Sequence, residues 1–290
     1  MTLEQLRIFV GVAEREHMTR AAEALNVTQS AASAAIAALE ARHGVALFHR
    51  IGRRIELTEA GKVFLDEARG VLGRAASAET ALTDFGDLKR GTLKLVASQT
   101  IAGYWLPSWL AAYRARYPGI VVEVAIGNTD SVAARVHEGS AELGFVEGRI
   151  DDPALAHWVI DTDRLQLVSS HADGPIDDAW LRAAVWIIRE SGSGTRSTFE
   201  AALGLRGIVP ESLDVALILP SNEAVRTAVE AGAGVAVLSA LVVARAVATG
   251  ALHALPLELP ERPFFGLRHK ERYRSKAADA LLDLIKEARQ

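Results

Sequence analysis

The sequence predicts an α/β protein with an all-α, winged N-terminal domain, and three observations predict it. Apolar residues at helical spacing fill short stretches up to about Arg42, a single apolar seam then runs from Thr58 to about Asp87, and strands alternate with helices in two series from Thr92 onward. At 290 residues the chain exceeds the usual size of one core. The expected domains are therefore residues 1–58, 59–90 and 91–290, the last in two lobes of about 91–161 with 266–290 and about 162–265.

Leu3, Leu6, Ile8, Phe9, Val12 and Ala13 mark the first helix, and the polar run Glu14 to His17 ends it. Thr19 is the expected N-cap of a short second helix through Leu25, rich in alanine where a neighbouring helix approaches. After Asn26 and Val27, Thr28 caps a third helix to about Arg42. Two short helices joined by a few residues match a helix-turn-helix, whose second member lies in the major groove of DNA. That member carries six alanines between Ala31 and Ala38, with Ile36 and Leu39 as its buried face. It can therefore approach a partner closely. Leu47–Arg50 and Ile55–Leu57 read as two strands around Ile51-Gly52-Arg53-Arg54, a small wing tipped with arginines. Thr58 caps the long helix, in which Phe64, Ala68, Val71, Ala75, Ala78, Leu82 and Phe85 advance by three and four. A seam of this kind needs a partner helix, so dimerisation is expected there.

Lys89-Arg90-Gly91 reads as a linker. Strands are expected at Thr92–Ala97, Val121–Ile126 and Leu143–Val146, with helices at Ile101–Tyr117 and Ser131–Glu138 between them. The second series has strands at Val185–Arg189, Val215–Leu219 and Val235–Leu238, with helices at Thr195–Leu203, Asn222–Ala231 and through Ala248. Strands separated by helices imply βαβ units, parallel sheets and two α/β lobes. A strand at Phe264–Leu267 and a helix at Lys276–Ala288 return to the first lobe, so the chain crosses near Asp161–Asp163 and again near Arg262-Pro263.

Composition narrows the function. Lys and Arg total 32 against 36 Asp and Glu, a net charge of −4 with a pI near 6.1, so a uniformly basic nucleic-acid binder is excluded and any DNA contact is local. Residues 1–90 are charge-balanced, and the acid excess falls in residues 91–290. The absence of cysteine excludes disulfides, a thiol switch and Cys-ligated zinc. With no apolar leader and no membrane-length apolar stretch, the expectation is a cytoplasmic protein without membrane contact. No nucleophile elbow, HExxH pair, P-loop or complete dinucleotide fingerprint supports an enzyme, so no catalytic, metal or cofactor residue is assigned. A solute-binding protein of transport, the other reading of residues 91–290, requires an export signal.

Specific runs then carry a resemblance. Leu3-Glu4-Gln5-Leu6-Arg7-Ile8-Phe9, Ala21-Ala22-Glu23-Ala24-Leu25, Thr28-Gln29-Ser30-Ala31, Ser33, Ile36, Leu39-Glu40, Leu47-Phe48, Arg50 and Leu57-Thr58-Glu59-Ala60-Gly61 resemble, in order and spacing, the LysR-type transcriptional regulators. Ala97-Ser98-Gln99-Thr100-Ile101, Glu142–Val146, Gly192-Ser193-Gly194-Thr195-Arg196 and Ala231–Val235 extend the likeness over essentially the whole chain. The resemblance implies a winged helix-turn-helix, a linker-helix homodimer commonly assembled into tetramers, and a two-lobed, periplasmic-binding-protein-like effector domain. It implies promoter DNA and a small-molecule effector as partners, with RNA polymerase as a further candidate. Where many relatives have arginine and glutamine after the recognition-helix serine, Ser33 is followed by Ala34 and Ala35.

On the DNA side the expected contacts are Thr28, Gln29, Ser30, Ser33 and Ala34 at the start of the third helix, with Arg50, Arg53 and Arg54 on the wing against phosphates or the minor groove. His49 reads as a packing or solvated residue. The expected effector site gathers Ser98, Gln99 and Thr100 at one strand end, Asn128 and Thr129 at the next, Glu147 at the third, and the glycine-rich turn Ser193, Gly194, Thr195 and Arg196 opposite. Hydroxyls, helix-start amides and Arg196 suit a small anion, an inorganic oxyanion or a carboxylate, although Thr100 reads equally well as a helix cap. The Gly232-x-Gly234 pair reads as a structural turn, and the five tryptophans read as core or lobe-interface residues.

Overall fold

Thr2 fixes where the chain first becomes helical in the computed structural model. Its hydroxyl accepts the Gln5 N–H at 3.2 Å while the Gln5 side chain accepts the Thr2 N–H at 3.0 Å, a reciprocal cap that opens α1 (Leu3–Arg15). The structure describes residues 1–51, 54–84, 90–148, 150–172 and 174–287, with backbone alone at Arg50, Ile51, Arg54 and Thr83. Two compact units divide it, residues 1–83 with 138–140, and residues 84–137 with 141–290.

In the first unit α2 (Met18–Ala24) begins one residue before Thr19, the expected cap, because extended His17 caps it through a ring nitrogen that accepts the Arg20 N–H at 3.4 Å. Asn26, at φ 55°, turns the chain in the left-handed region that asparagine tolerates. The Thr28 hydroxyl then accepts the Ala31 N–H at 3.1 Å and opens α3 (Gln29–His43), which ends at Gly44 with φ 66°. Ala32, Ile36 and Leu39 bury its inner face. The wing is an antiparallel pair, β1 (Phe48–Ile51) and β2 (Arg54–Leu57), in the register Phe48↔Leu57. Glu40 anchors its base by accepting the N–H groups of Leu47 at 2.7 Å and Phe48 at 3.3 Å. The Thr58 hydroxyl donates to the Ala46 carbonyl at 2.8 Å and accepts the Gly61 N–H at 2.9 Å, which starts α4 (Glu59–Thr83).

Phe9 centres this unit's core, 5.5 Å from the Phe48 ring and 4.8 Å from Phe64. The seam on α4 divides accordingly. Phe64 and Ala68 are used by the core, while Val71, Ala78 and Leu82 are exposed, Leu82 by 76%. Phe85 and the expected helix end near Asp87 lie outside the described residues.

The second unit has two lobes. The first contains β3 (Gly91–Ser98), a π-helical turn over Ile101–Trp105 leading into α5 (Leu106–Arg116), β4 (Ile120–Gly127), α6 (Thr129–Glu138), β5 (Leu143–Glu147) and β6 (Leu155–Asp163). The chain passes into the second lobe through β7 (Leu165–Ser169), α7 (Asp178–Ala183), β8 (Val185–Arg189), α8 (Gly194–Leu205), β9 (Asp214–Leu219), α9 (Asn222–Glu230), β10 (Ala236–Ser239), α10 (Ala240–Ala248) and β11 (His253–Leu255). It returns by β12 (Arg262–His269) and ends in α11 (Lys276–Glu287).

The expected parallel sheets are mixed. In the first lobe the order is β4-β3-β5-β12-β6, with β3 parallel to β4 and β5, and β12 antiparallel to β5 and β6. In the second, β10-β7-β11 is antiparallel, and β8-β9 is parallel and joined at Trp186↔Val235. Because β12 pairs with β6 from Arg262↔Asp163 onward, residues 262–265 and 162–163 belong to the first sheet rather than the second lobe. The first lobe's core joins Leu93, Leu95, Phe145 and Phe264 to Leu281 and Ile285 of α11, while Trp186, Phe199 and Leu203 centre one core of the second.

Candidate functional site

At the start of α3, Thr28, Gln29, Ser30, Ala31 and Ala34 are exposed and Ser33 is half-buried. The Thr28 and Ser30 hydroxyls lie 3.0 Å apart, and the first turn has no acidic residue. Ala37 and Ala38 are exposed as well, so methyl groups line the outer face behind a polar tip. On the wing, Arg50 and Arg54 occupy β1 and β2, paired with Ile55 and Ile51. Their side chains, and Arg53 altogether, lie outside the described residues.

Between the lobes of the second unit, strand ends meet helix starts. β3 delivers Ser98, Gln99 and Thr100, the β4–α6 turn delivers Asn128 and Thr129, and β5 delivers Glu147. Opposite them stand the first turns of α8 and α9. Gln99 donates to the Pro220 carbonyl at 2.7 Å and accepts the Asn222 N–H at 3.0 Å. The Thr100 hydroxyl accepts from the Asn222 amide at 3.0 Å, so it bridges the lobes instead of capping the turn it precedes. Asn128 donates to the Ser191 carbonyl at 3.2 Å and to Glu190 at 3.4 Å. Thr129 donates to the Glu147 carbonyl. That carbonyl faces Gly194 so closely that a Cβ there would stand 2.0 Å from it, so only glycine lets α8 approach β5.

Two guanidiniums lie within this interface. Arg262, at the start of β12, donates through Nε and Nη2 to Asp163 at 2.8 and 2.6 Å and through Nη1 to the Thr195 hydroxyl at 3.0 Å. Ser239 donates to the other Asp163 oxygen at 2.8 Å. One buried cluster thus ties both crossing strands to α8 and β10. Arg189 donates to Asn222 and pairs with Glu190 at 2.7 Å. Burial pushes the Glu190 carboxyl up, but the Arg189 hydrogen bond and charge outweigh it and hold the pKa below the usual value. Tyr104, in the π-helical turn, donates to Glu223 at 3.1 Å, and burial followed by that carboxylate raises its pKa.

The expected site residues thus converge, with one exception. Arg196 pairs with Glu200 of its own helix at 2.6 Å and reaches the Arg189 carbonyl at 3.4 Å, and Arg262 takes the place beside Thr195. Sequence reasoning also missed Asp163, Arg189, Asn222 and Ser239. Ser221-Asn222 follows β9 as Ser98–Thr100 follows β3, a signal available in the sequence. Ser98 is 3% exposed and its hydroxyl has no hydrogen-bond partner among the described residues. The first turn of α8 has no side-chain cap. A partnerless hydroxyl and uncapped helix-start amides at one interface suit a ligand bearing acceptor oxygens.

Residues 3–62 match the family described as bacterial regulatory helix-turn-helix protein, lysR family, and residues 86–290 match the LysR substrate binding domain. The chain is 32% identical over 289 residues to YeiE of Escherichia coli (strain K12), an uncharacterized HTH-type transcriptional regulator, covering 98% of this chain and 96% of that one. It is 33% identical over 272 residues to the HTH-type transcriptional regulator CfxR of Cupriavidus necator, covering 89% and 78%. Among solved structures it resembles CbnR, a LysR family transcriptional regulator, with a TM-score of 0.69 at 24% identity over 100% of both chains.

Proposed function

The chain belongs to the LysR family of DNA-binding transcriptional regulators, and on that premise we propose that it reads promoter DNA as a homo-oligomer controlled by a small anion held between its lobes. The family is one of regulators, not enzymes, and joins a helix-turn-helix to an effector-binding domain. No described helix is long and apolar enough to cross a membrane. The buried Ser98 hydroxyl, without a hydrogen-bond partner among the described residues, together with the uncapped start of α8 carries the effector reading.

In the proposed mechanism the ligand joins oxygens to the α8 amides, Ser98 and Thr195, and shifts the population of lobe arrangements. The α4 helices, paired along Val71, Ala78 and Leu82, pass that change to two winged modules on successive half-sites. Gln29, Ser30 and Ser33 meet base edges or phosphates, and Ala34 meets thymine methyls. Arg50, Arg53 and Arg54 neutralise phosphates. A relative of the same fold, CbnR, has been solved in complex with its target DNA.

The effector test is calorimetry of the full chain against inorganic oxyanions and short carboxylates. Ser98→Ala with Thr195→Val lowers the affinity of the ligand found by at least about tenfold, as loss of buried hydrogen bonds requires. Unchanged affinity removes the site. On the DNA side, Arg53→Ala with Arg54→Ala weakens binding across sequences and flattens its salt dependence. An unchanged salt slope removes the wing from the interface.

A further inference from the structure

The interface between the lobes holds unmatched groups of opposite character. The N–H groups of Gly194, Thr195 and Arg196 precede the first bond of α8, made by Ser197 to the Ser193 carbonyl at 3.0 Å, and meet no acceptor among the described residues. Ser98, buried at the end of β3, adds a hydroxyl without a partner among the described residues. These groups call for acceptor oxygens.

Glu147 calls for the reverse. It is 2% exposed, and its Oε1 has no hydrogen-bond partner among the described residues. Arg262 Nη2 is 3.9 Å away, beyond hydrogen-bond range, and that guanidinium already donates to Asp163 and Thr195. The nearby Thr129 hydroxyl is engaged by the backbone carbonyl of Glu147. Arg196, the other charge on this turn of α8, is turned to Glu200. A buried acceptor left unpaired is costly, and native interiors seldom leave one so. A ligand taken in between the lobes could supply the missing donor.

Resting on the effector reading above, we propose that the ligand is a donor-bearing anion: beside its charged oxygens it carries an O–H or N–H that it gives to Glu147. Hydroxycarboxylates, amino acids and oxyanions that retain a proton share the required chemistry. Sulfate and unsubstituted carboxylates lack it. Glu147 is then a specificity-determining residue, and α8 with Ser98 supplies binding common to both classes.

The test uses the full chain and calorimetry with matched pairs: glycolate against acetate, lactate and alanine against propanoate, and dihydrogen phosphate against sulfate. In at least one pair the donor-bearing member binds about tenfold tighter or more, as expected where a buried group would otherwise stay unpaired. The preferred pair identifies whether a hydroxyl, an ammonium or a protonated oxyanion supplies the donor. Glu147→Gln brings that ratio toward one, because a carboxamide can turn N–H toward a donor-free ligand. Glu147→Asp, which keeps the charge, retains the direction of preference and guards against a variant that fails to fold. Equal binding within every pair, absence of binding by all of them, or a preference that survives Glu147→Gln overturns the proposal. Ser98→Ala and Thr195→Val separate it from the reading beneath it. If they weaken both members of a pair that shows no preference, the cleft stands and the donor rule falls; if they change nothing, the cleft itself falls.

Discussion

Replacing Arg262 by methionine removes the cation at the junction of the two crossing strands. An exposed ion pair would contribute about 0–1 kcal/mol, but the side chains of Arg262 and Asp163 are 2% and 1% exposed. The substitution leaves Asp163 with the Ser239 hydroxyl alone, Glu147 with no nearby cation and the Thr195 hydroxyl without its donor. Breaking a buried pair from one side costs about 3–5 kcal/mol. For a domain of this size that is a fall in melting temperature of roughly 6–20 °C. All five tryptophans, Trp105, Trp109, Trp158, Trp180 and Trp186, lie in the second unit, so tryptophan fluorescence during unfolding follows that unit alone. Adding Asp163→Leu removes the carboxylate that Arg262 bonded directly, and the double variant recovers to within about 2 kcal/mol of the parent. A loss below about 1 kcal/mol in the single variant, or a double variant no more stable than the single, would refute the view that the junction is held by a mutually dependent ion pair.

Glu40→Ala leaves the amides of Leu47 and Phe48 without their acceptor and destabilises the first unit by roughly 1–3 kcal/mol. That unit contains no tryptophan, so far-ultraviolet circular dichroism of helix melting is the readout, and an unchanged first transition counts against the anchoring role. Glu190 gives a prediction in pH. Its carboxyl is lowered in the folded state, so the stabilisation is fully present above the usual value of 4.5 and is lost as pH falls through the lowered folded value. Glu190→Gln therefore flattens the acid limb of the stability profile; superimposable limbs would show that the pairing with Arg189 has no net effect.

Much of this structure follows from local pattern. Thr28, Thr58 and Gly44 mark helix limits by chemistry confined to a few residues, and the strand–helix alternation from Gly91 places the three strand ends that converge on the cleft. The misses have physical causes. His17 caps α2 through a ring nitrogen, a role usually taken by hydroxyls and carboxylates. β6 and β7 form a nearly continuous extended run across the lobe boundary, separated by Arg164 alone, so no turn signal divides Leu155 to Ser169. The Arg262 cluster joins Glu147, Asp163, Thr195 and Ser239, positions whose proximity depends on the crossing and on no spacing in the sequence. Arg196 fits a local anion motif, yet Glu200, one helical turn later, claims its charge.

The paired crossing strands also set an order of assembly on the ribosome. Residues 164–261 form an insertion whose ends are held together by Asp163↔Arg262, so the second lobe's strands and helices, and Leu257 and Leu259 that pack on its core, all precede β12. The first lobe begins earlier and finishes later. Its sheet lacks β12, and its core lacks Leu281, Leu282 and Ile285, until residues 262–285 have been made. Synthesis therefore leaves β5 and β6 waiting, each with an unpaired edge, for the strand that joins them, and a chain stopped before Arg262 would display those edges to its neighbours.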